Sequence, residues 1–341
     1  MSAQPISISI VVPVYNNSQD LRECLSAIIR SSVPNTEILV VDDASTDDVS
    51  SITNEFRVPL IRLPKNSGVA AARNAGARHV HGEILFFIDA DVVIPAGAVE
   101  RVVHWFQGDP GLAAVFGSYD ARPRAKGTVS QYRNLLHHFV HQNGKMEAST
   151  FWAGCGAIRR SVFDAVGGFD EKRYRYPSIE DIELGYRLKK AGYRILLDKS
   201  LQATHLKKWT LGVLIKTDIT RRALPWARLI LERKTAPDDL NLRLSQRLSG
   251  LLVMLGCLLT LVSVFQIEIL AIAVVAFISV IILNRDLYRF FWDREGVGFA
   301  GVCILLHLLY FLYSGMSYLY AWIEFYLRNG RLLDQRTDRM S

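Results

Sequence analysis

The chain contains few cysteines, four in 341 residues. Cys24, Cys155, Cys257 and Cys303 match neither the ligand spacing of a zinc site nor the Cys density of a small disulfide scaffold. A secretory signal peptide is also missing, since the first apolar stretch, residues 6–14, is too short for one. We therefore expect reduced, ordinary cysteines and an N-terminal half that remains in the cytoplasm.

A dinucleotide fingerprint is absent as well. The first predicted strand, residues 7–14, leads into PVYNNSQD, where a G-x-G-x-x-G turn would begin in a dehydrogenase. The sequence also contains no internal repeat and no low-complexity segment. These absences argue against a dinucleotide-dependent enzyme and against a repeat architecture.

Charge is missing from most of the C-terminal part. Residues 248–265, 269–283 and 297–323 carry no Asp, Glu, Lys or Arg, and each run approaches the roughly 20 residues that a helix needs to cross a bilayer. We expect an integral membrane protein with three spans in residues 248–327 and contacts with membrane lipids. An odd number of spans would place the arginine-bearing polar tail, residues 328–341, on the far side of the membrane, so the number of spans stays open.

Basic residues are concentrated before the first apolar run, between residues 221 and 247. This is where the positive-inside rule places them for a cytoplasmic flank. The net charge of +7 is explained in this way, and no nucleic-acid partner is predicted. Residues 210–233 mix apolar and basic side chains, which predicts a helix pair in the membrane interface within a 208–247 segment; a soluble linker helix is the alternative.

The N-terminal region, residues 1–207, has the pattern of an α/β domain. The β-branched run 7–14, the amphipathic stretch 20–30 and the apolar run 37–41 predict a βαβ unit and hence a parallel sheet. The remaining predicted elements are strands at 60–63, 84–88 and 113–118 and helices at 68–80, 97–106, 129–141 and 179–191.

Acidic residues follow two of these strands. Asp89 and Asp91 flank a single residue after strand 84–88, at the edge where open α/β sheets bind ligands. Two carboxylates so spaced can face one cation, and oxygen ligands favour Mg²⁺ or Mn²⁺. Such an ion can neutralise a leaving diphosphate. Asp42 and Asp47 are interpreted as caps of the next helix.

Four motifs occur in order: VVPVYNN, VVDDASTDD, NSGVAAARNAGARHVHGEILFFIDADV and IEDIELGYRLKKAGY. Together they resemble glycosyltransferase family 2, over about residues 7–205. The resemblance implies an α/β domain of the GT-A fold, a mixed and mostly parallel sheet flanked by helices, with an α-helical membrane region after it. It also implies a nucleotide-sugar donor, with uracil favoured as the base.

The resemblance assigns roles to individual residues. Donor-binding residues are expected at Pro13, Tyr15, Asp43, Arg73 and Asp89, with Tyr15 packing on the base and Asp43 accepting from an N–H of the base. Arg73 reaches the diphosphate in this assignment, and a structural ion pair is the alternative. The metal is assigned to Asp91 and His205, although His205 could also be an ordinary surface histidine.

The remaining assignments concern catalysis and the acceptor. Asp181, next to Glu180, matches the family's general base, and Trp152 and Gly154 match a loop on the acceptor side. A separate group with helical spacing is interpreted as the polar face of an amphipathic helix, not as a metal site: His137, His138 and His141.

The resulting hypothesis is an inverting, metal-dependent glycosyltransferase. A hydroxyl on a lipid-linked or other membrane-proximal glycoconjugate is favoured as the acceptor, because a base next to the site is needed for a hydroxyl. A polyprenyl phosphate is already anionic, so a polyprenyl-phosphate glycosyltransferase is the alternative. A catalytically inactive binding protein is a further alternative, against which the intact acidic motifs argue.

Overall fold

The computed structural model describes residues 6–337, with side chains to residue 328. Residues 1–5 of the predicted first domain and 338–341 of the predicted tail lie outside the described residues. The chain divides into two compact units, Met1–Trp209 and Thr210–Ser341. The boundary predicted from the sequence falls after residue 207.

The first unit is built on one sheet of eight strands in the order β3-β2-β1-β4-β7-β6-β8-β5. The strands are β1 Ile8–Val14, β2 Thr36–Asp42, β3 Leu60–Arg62, β4 Ile84–Ile88, β5 Val92–Val93, β6 Leu112–Tyr119, β7 Cys155–Arg159 and β8 Arg194–His205. The first four strands in this order are parallel, β7 is antiparallel to both neighbours, β8 is parallel to β6, and β5 is antiparallel to β8. The expected α/β class, a mixed and mostly parallel sheet, is confirmed.

Helices cover this sheet. They are α1 Ser18–Ser31, α2 Val49–Phe56, α3 Val69–His79, α4 Ala98–Gly108, α5 Thr128–Gln142, α6 Arg160–Ala165 and α7 Glu180–Lys190. Leu21, Leu25 and Ile28 recur at helical spacing on α1 and are buried in the core. Glycine at position 76 lets α3 pack directly on β1, because a Cβ there would lie 2.3 Å from Cγ1 of Val11.

The cap of α2 differs from the prediction. Asp48, not Asp42 or Asp47, caps this helix, since its side chain accepts from the backbone N–H of Ser51 at 2.9 Å. Asp42 instead closes a turn by accepting from the N–H of Ser45. Asp47 accepts from the N–H of Ser18, the first residue of α1. The carboxylate nearest to the helix start therefore takes the capping role.

The second unit is helical. It contains α8 Leu211–Thr217, a π-helical turn Asp218–Ala223, α9 Leu224–Arg233, a 3₁₀ turn Leu240–Leu242, α10 Leu244–Val262, α11 Ile269–Leu283 and α12 Arg285–Thr337. The predicted helix pair at 210–233 is thus one helical run interrupted by a π-helical turn. Helix α12 is kinked at Gly296, where φ is 86°, and it continues through the predicted tail to Thr337.

Among the described residues, two stretches are long and apolar enough to cross a membrane, Leu244–Val262 and Arg285–Arg328. The third apolar run forms α11, which has 15 residues and is about 22 Å long at 1.5 Å per residue. A hydrocarbon core is about 30 Å thick. By length alone, α11 falls short of a complete span.

Candidate active site

The loops after β1 and β2 hold each other at the carboxyl edge of the sheet. The N–H of Asn16 donates to the hydroxyl of Ser45 at 2.9 Å, and the Asn16 side-chain oxygen accepts from the N–H of Thr46 at 2.7 Å. Tyr15, at the start of this loop, has 49% of its surface exposed. Pro13 lies in β1 beyond its pairing with β4, where a missing N–H interrupts no bond to that strand. The proposed contacts of both residues with a base stay predictions.

Asp43 fixes the entry to α3. Its two carboxylate oxygens accept from the N–H groups of Ser67 at 2.7 Å and Gly68 at 2.8 Å. Gly68 has a φ of 92°, and a Cβ there would lie 2.3 Å from the carbonyl oxygen of Arg175, so no other residue fits. Burial raises the pKa of Asp43, and the two hydrogen bonds oppose this. Each oxygen keeps a further lone pair, so binding of a base N–H stays a prediction.

Arg73 joins two parts of the site. Only 3% of the side chain is exposed, and its guanidinium donates to Asp89 at 2.6 Å and to Glu180 at 2.8 Å. Burial disfavours the charge, but the two carboxylates hold the pKa of Arg73 above its ordinary value. The structure therefore shows the ion-pair alternative, and contact of Arg73 with a diphosphate stays a prediction. Through Arg73, the end of β4 is connected to the first residue of α7.

Asp181 is the second residue of α7 and is partly exposed. Its carboxylate accepts from the N–H of Ala153 at 3.1 Å and from the N–H of Ile182 at 2.8 Å. Burial, with a further contribution from the charge of Glu180, raises the pKa of Asp181 to about 7, while Arg73 opposes the rise. A carboxylate with this pKa can take up a proton near neutral pH.

Asp91 and His205 come together through strand pairing. Val92 of β5 pairs with His205 of β8, and the N–H of Leu206 donates to the Asp91 carbonyl at 2.9 Å. Nε2 of His205 lies 3.4 Å from the Asp91 carboxylate. Burial raises the pKa of Asp91, but His205 and Lys207 outweigh it and leave the pKa lowered. His205 is buried, so the surface-histidine alternative is wrong.

The donor set at this point suits a cation that is shared with a substrate. Within residues 6–328, no group of three or more His, Cys, Asp or Glu side chains is arranged to hold a metal alone. Asp91 and His205 offer one carboxylate and one imidazole nitrogen. Mg²⁺ is usually bound by one or two carboxylates together with substrate phosphates. The pair therefore fits a divalent cation completed by a diphosphate, and metal binding itself stays a prediction.

The loop at 152–154 contacts both Asp89 and Asp181. The carbonyl of Gly154 accepts from the N–H of Asp89 at 3.1 Å, while Ala153 donates to Asp181. A Cβ on Gly154 would lie 2.7 Å from the ring of Trp152, so glycine lets this ring lie against the loop. The position suits the predicted acceptor-side role of Trp152 and Gly154, which stays a prediction.

The histidines of α5 do not form a polar surface, so that prediction is wrong. His138 and His141 are buried and bond through Nδ1 to the carbonyls of Tyr119 at 2.8 Å and Gly117 at 3.1 Å. The ring of His137 packs against that of Tyr119, with centroids 4.3 Å apart. Backbone carbonyls of β6 satisfy the imidazoles, which allows a polar helix face to turn inward.

Asn134 and Tyr119 are not among the predicted site residues. Asn134 accepts from His205 at 2.8 Å, and Tyr119 stacks on His205 with centroids 4.3 Å apart. The helical spacing of Asn134 relative to His138 and His141 places it on the same face of α5. That spacing was the signal that could have identified it.

Comparison with known proteins agrees with this geometry. Residues 9–167 match the family described as Glycosyl transferase family 2. The probable glycosyltransferase YdaM of Bacillus subtilis is 29% identical over 55% of this chain and 48% of its own length. The glycosyltransferase GlyG of Streptococcus pneumoniae is 32% identical over 46% of this chain and 53% of its own length. The matches thus span about half the length of these curated relatives.

A solved structure shares the fold. It is the mannosyltransferase PcManGT from Pyrobaculum calidifontis, in complex with GDP-Man and Mn²⁺, which superposes with a TM-score of 0.59 and 19% identity. The superposition covers 93% of this chain and 88% of the archaeal one. The family match over residues 9–167 and the curated relatives, together with the motif residues gathered at one sheet edge, identify a glycosyltransferase family 2 region in the first unit.

Proposed function

We propose that this protein is an inverting glycosyltransferase that moves a sugar from a nucleotide-sugar donor to a hydroxyl of a membrane-proximal acceptor. The observation that carries the proposal is the buried link from Asp89 through Arg73 to Glu180, with N···O distances of 2.6 and 2.8 Å. This link brings the donor-side aspartate and the candidate base, Asp181, into one cluster. Sugar transfer requires the donor site and the base to lie next to each other.

Asp181 would act as the general base. Its partly exposed carboxylate can receive the proton of the acceptor hydroxyl as the acceptor oxygen attacks the anomeric carbon. The new glycosidic bond forms on the face opposite the departing nucleoside diphosphate, whose bond to the anomeric carbon breaks. The N–H groups of Ala153 and Ile182 hold the carboxylate in place throughout.

Asp91 and His205 would hold Mg²⁺ or Mn²⁺. When bound, the cation supplies positive charge to the leaving diphosphate. The archaeal mannosyltransferase with this fold was solved with GDP-Man and Mn²⁺, which supports a divalent cation here. The donor base would lie by Tyr15 and Pro13, and the free lone pairs of Asp43 favour a base that donates an N–H, such as uracil.

We further propose that the second unit anchors the protein in a membrane, with the first unit on the cytoplasmic side. Its helices expose large apolar side chains, such as Leu251, Leu258 and Leu305, which water would disfavour. Polar groups pair inside this unit, as Asn284 does with Ser249 at 2.9 Å and Arg228 with Glu324 at 2.7 Å. Such internal pairing is what a bilayer requires.

The substitution Asp181→Asn tests the proposal. Transfer to a hydroxyl acceptor should fall by about 10²- to 10⁴-fold, the usual contribution of a general base, because the amide cannot take the proton. Binding of UDP-sugar and Mn²⁺, measured by calorimetry on the detergent-solubilised chain, should stay close to that of the unsubstituted protein. The exposed Asp164→Asn on α6 serves as the matched control and should leave both quantities unchanged.

The same variant separates the candidate acceptors. A polyprenyl phosphate is anionic without a base, so its glycosylation should survive Asp181→Asn and release a sugar phospholipid. Loss of donor binding in the variant would instead assign Asp181 to the donor. Full hydroxyl transfer by the variant would overturn its role as base.

A further inference from the structure

The backbones of Asp91 and His205 are fixed by β5 and β8, but pairing of strands does not orient a side chain. The imidazole of His205 can rotate about its bond to Cβ. A half-turn of the ring would exchange Nε2 for a carbon atom at the edge that faces Asp91. Something other than the sheet must therefore decide which atom of the ring lies 3.4 Å from the Asp91 carboxylate.

Two side chains restrict the ring. Tyr119 stacks on it with an interplanar angle of 10° and a centroid distance of 4.3 Å. This stacking fixes the plane of the ring but does not distinguish the two orientations that a half-turn exchanges. Asn134 accepts through its side-chain oxygen from Nδ1 at 2.8 Å. Because Nδ1 then carries the hydrogen of the neutral ring, the lone pair of Nε2 is available to a cation that Asp91 also binds.

Asn134 itself is poorly explained as a packing residue. It is 1% exposed, and its side-chain nitrogen is buried with no hydrogen-bond partner among the residues that the structure describes. A buried amide with one unmade hydrogen bond is unfavourable for stability. An apolar side chain at this position would avoid that penalty, so its amide oxygen has a use that packing does not account for.

We propose that Asn134 is a positioning residue that orients His205 so that Nε2, together with Asp91, binds the divalent cation. The inference rests on the metal site of the proposed function. Histidine ligands of metals generally donate their second N–H to an oxygen acceptor, and loss of that acceptor weakens metal binding. Asn134 supplies the acceptor, and the ring of Tyr119 prevents His205 from tilting away.

The substitution Asn134→Leu tests this by removing the acceptor at similar volume. Mn²⁺ is titrated into the full chain with UDP present, and a protein-free titration is subtracted. The apparent Mn²⁺ affinity should fall by about 10- to 100-fold, and the melting temperature without metal is recorded to establish that the variant is folded. Asn134→Asp keeps an oxygen acceptor for Nδ1–H and should restore the affinity to within about threefold of the unsubstituted protein.

Gln142 provides a matched control on the same helix. Its amide also bridges α5 to the sheet, donating to Ser118 and to the carbonyl of Lys199, each at 2.9 Å, but it does not contact His205. Gln142→Leu should leave Mn²⁺ affinity unchanged. An equal loss in Gln142→Leu and Asn134→Leu would reduce Asn134 to a packing role, and an unaffected Asn134→Leu would overturn the inference.

His205→Ala distinguishes the two levels of the proposal. If UDP binding by the unsubstituted protein is independent of Mn²⁺ and His205→Ala changes nothing, the metal site fails and the inference fails with it. If the unsubstituted protein needs Mn²⁺ and His205→Ala weakens its binding, the site stands. In that case Asn134→Leu alone decides the inference.

Discussion

Arg73 connects two acidic residues of the candidate site that are far apart in the sequence. Its guanidinium is paired with carboxylates from two different elements. A buried ion pair adds little net stability, but removal of one partner typically costs about 3–5 kcal/mol because a charge is left uncompensated. The arrangement therefore enforces a single geometry in which Asp89 and Glu180 stay together.

The raised pKa of Asp181, about 7, leads to a prediction for the pH profile. Below this pH the carboxyl is protonated and cannot act as a base, so kcat/KM for transfer should rise as the pH passes through about 7. Glu180→Gln removes a negative charge that raises this pKa. The acid limb of the profile should then move to lower pH, as measured by initial rates across the pH range.

The control for this measurement is Glu147→Gln. Glu147 is an exposed carboxylate bonded to Lys189, and it is not among the groups that shift the pKa of Asp181. The pH profile of Glu147→Gln should match that of the unsubstituted protein. If the acid limb of the Glu180→Gln profile does not move, the assignment of that limb to Asp181 is contradicted. The free energy of unfolding should depend on pH in the opposite direction to kcat/KM. Because the folded-state pKa of Asp181 lies above the ordinary 3.8, this group stabilises the fold at acid pH, and the stabilisation is lost as the pH rises through about 7.

At the scale of single residues, motif spacing predicted which residues lie at the sheet edge better than what each side chain contacts. Asp89 and Asp91 follow a strand, and their place at the sheet edge could be derived from that alone. For Arg73 two roles remained open, since its partner Glu180 lies 107 positions further along the chain. The outward face predicted for the histidines of α5 was wrong, because helical spacing identifies a face but not what that face packs against.

At the scale of elements, the position of Asp181 depends on how closely α7 approaches the preceding loop. Gly185 makes this approach possible: a Cβ there would lie 2.4 Å from the backbone nitrogen of Phe151 and 2.7 Å from Cα of Thr150. Backbone atoms cannot yield as a flexible side chain can. The bond from Ala153 to Asp181 spans the same contact.

Gly185→Ala should therefore lower both stability and transfer. Overpacking of this kind costs about 1–3 kcal/mol of unfolding free energy. The loss should appear as a lower urea midpoint when unfolding of the first unit is followed by fluorescence. Gly108→Ala on α4 is the control, since a Cβ there meets no atom within 4 Å, and it should be neutral or slightly stabilising. Equal behaviour of the two variants would show that the contact at Gly185 is not tight.

Elements with a strong sequence pattern were predicted well, and several short ones were missed. Strands β1 and β4, and the second half of β2, are apolar runs buried on both faces, which gives a clear signal. Strand β7 has the sequence CGAIR, in which glycine and alanine carry little strand propensity. Strand β5 has two residues and exists only because β8 lies beside it.

At the scale of the whole molecule, composition predicted a division into an α/β part and an apolar helical part. The three charge-free runs correspond to α10, α11 and the portion of α12 after Gly296. The sequence also predicted the bounds of α11, because the charge-free run 269–283 lies between Glu268 and Asn284. At 15 residues this run is shorter than a complete span, so hydropathy alone does not determine the number of spans.

Membrane anchoring can be tested with two leucines of α10 that differ only in depth. Leu251 lies near the middle of the helix and Leu261 near its end, with exposures of 68% and 69%. An arginine at the centre of a span costs about 2.5–3.5 kcal/mol of insertion free energy, whereas near an end the side chain reaches the interface. Leu251→Arg should lower the carbonate-resistant membrane fraction strongly and Leu261→Arg only slightly. In water the two equally exposed sites would respond alike, so equal fractions for both variants would exclude α10 as a membrane span.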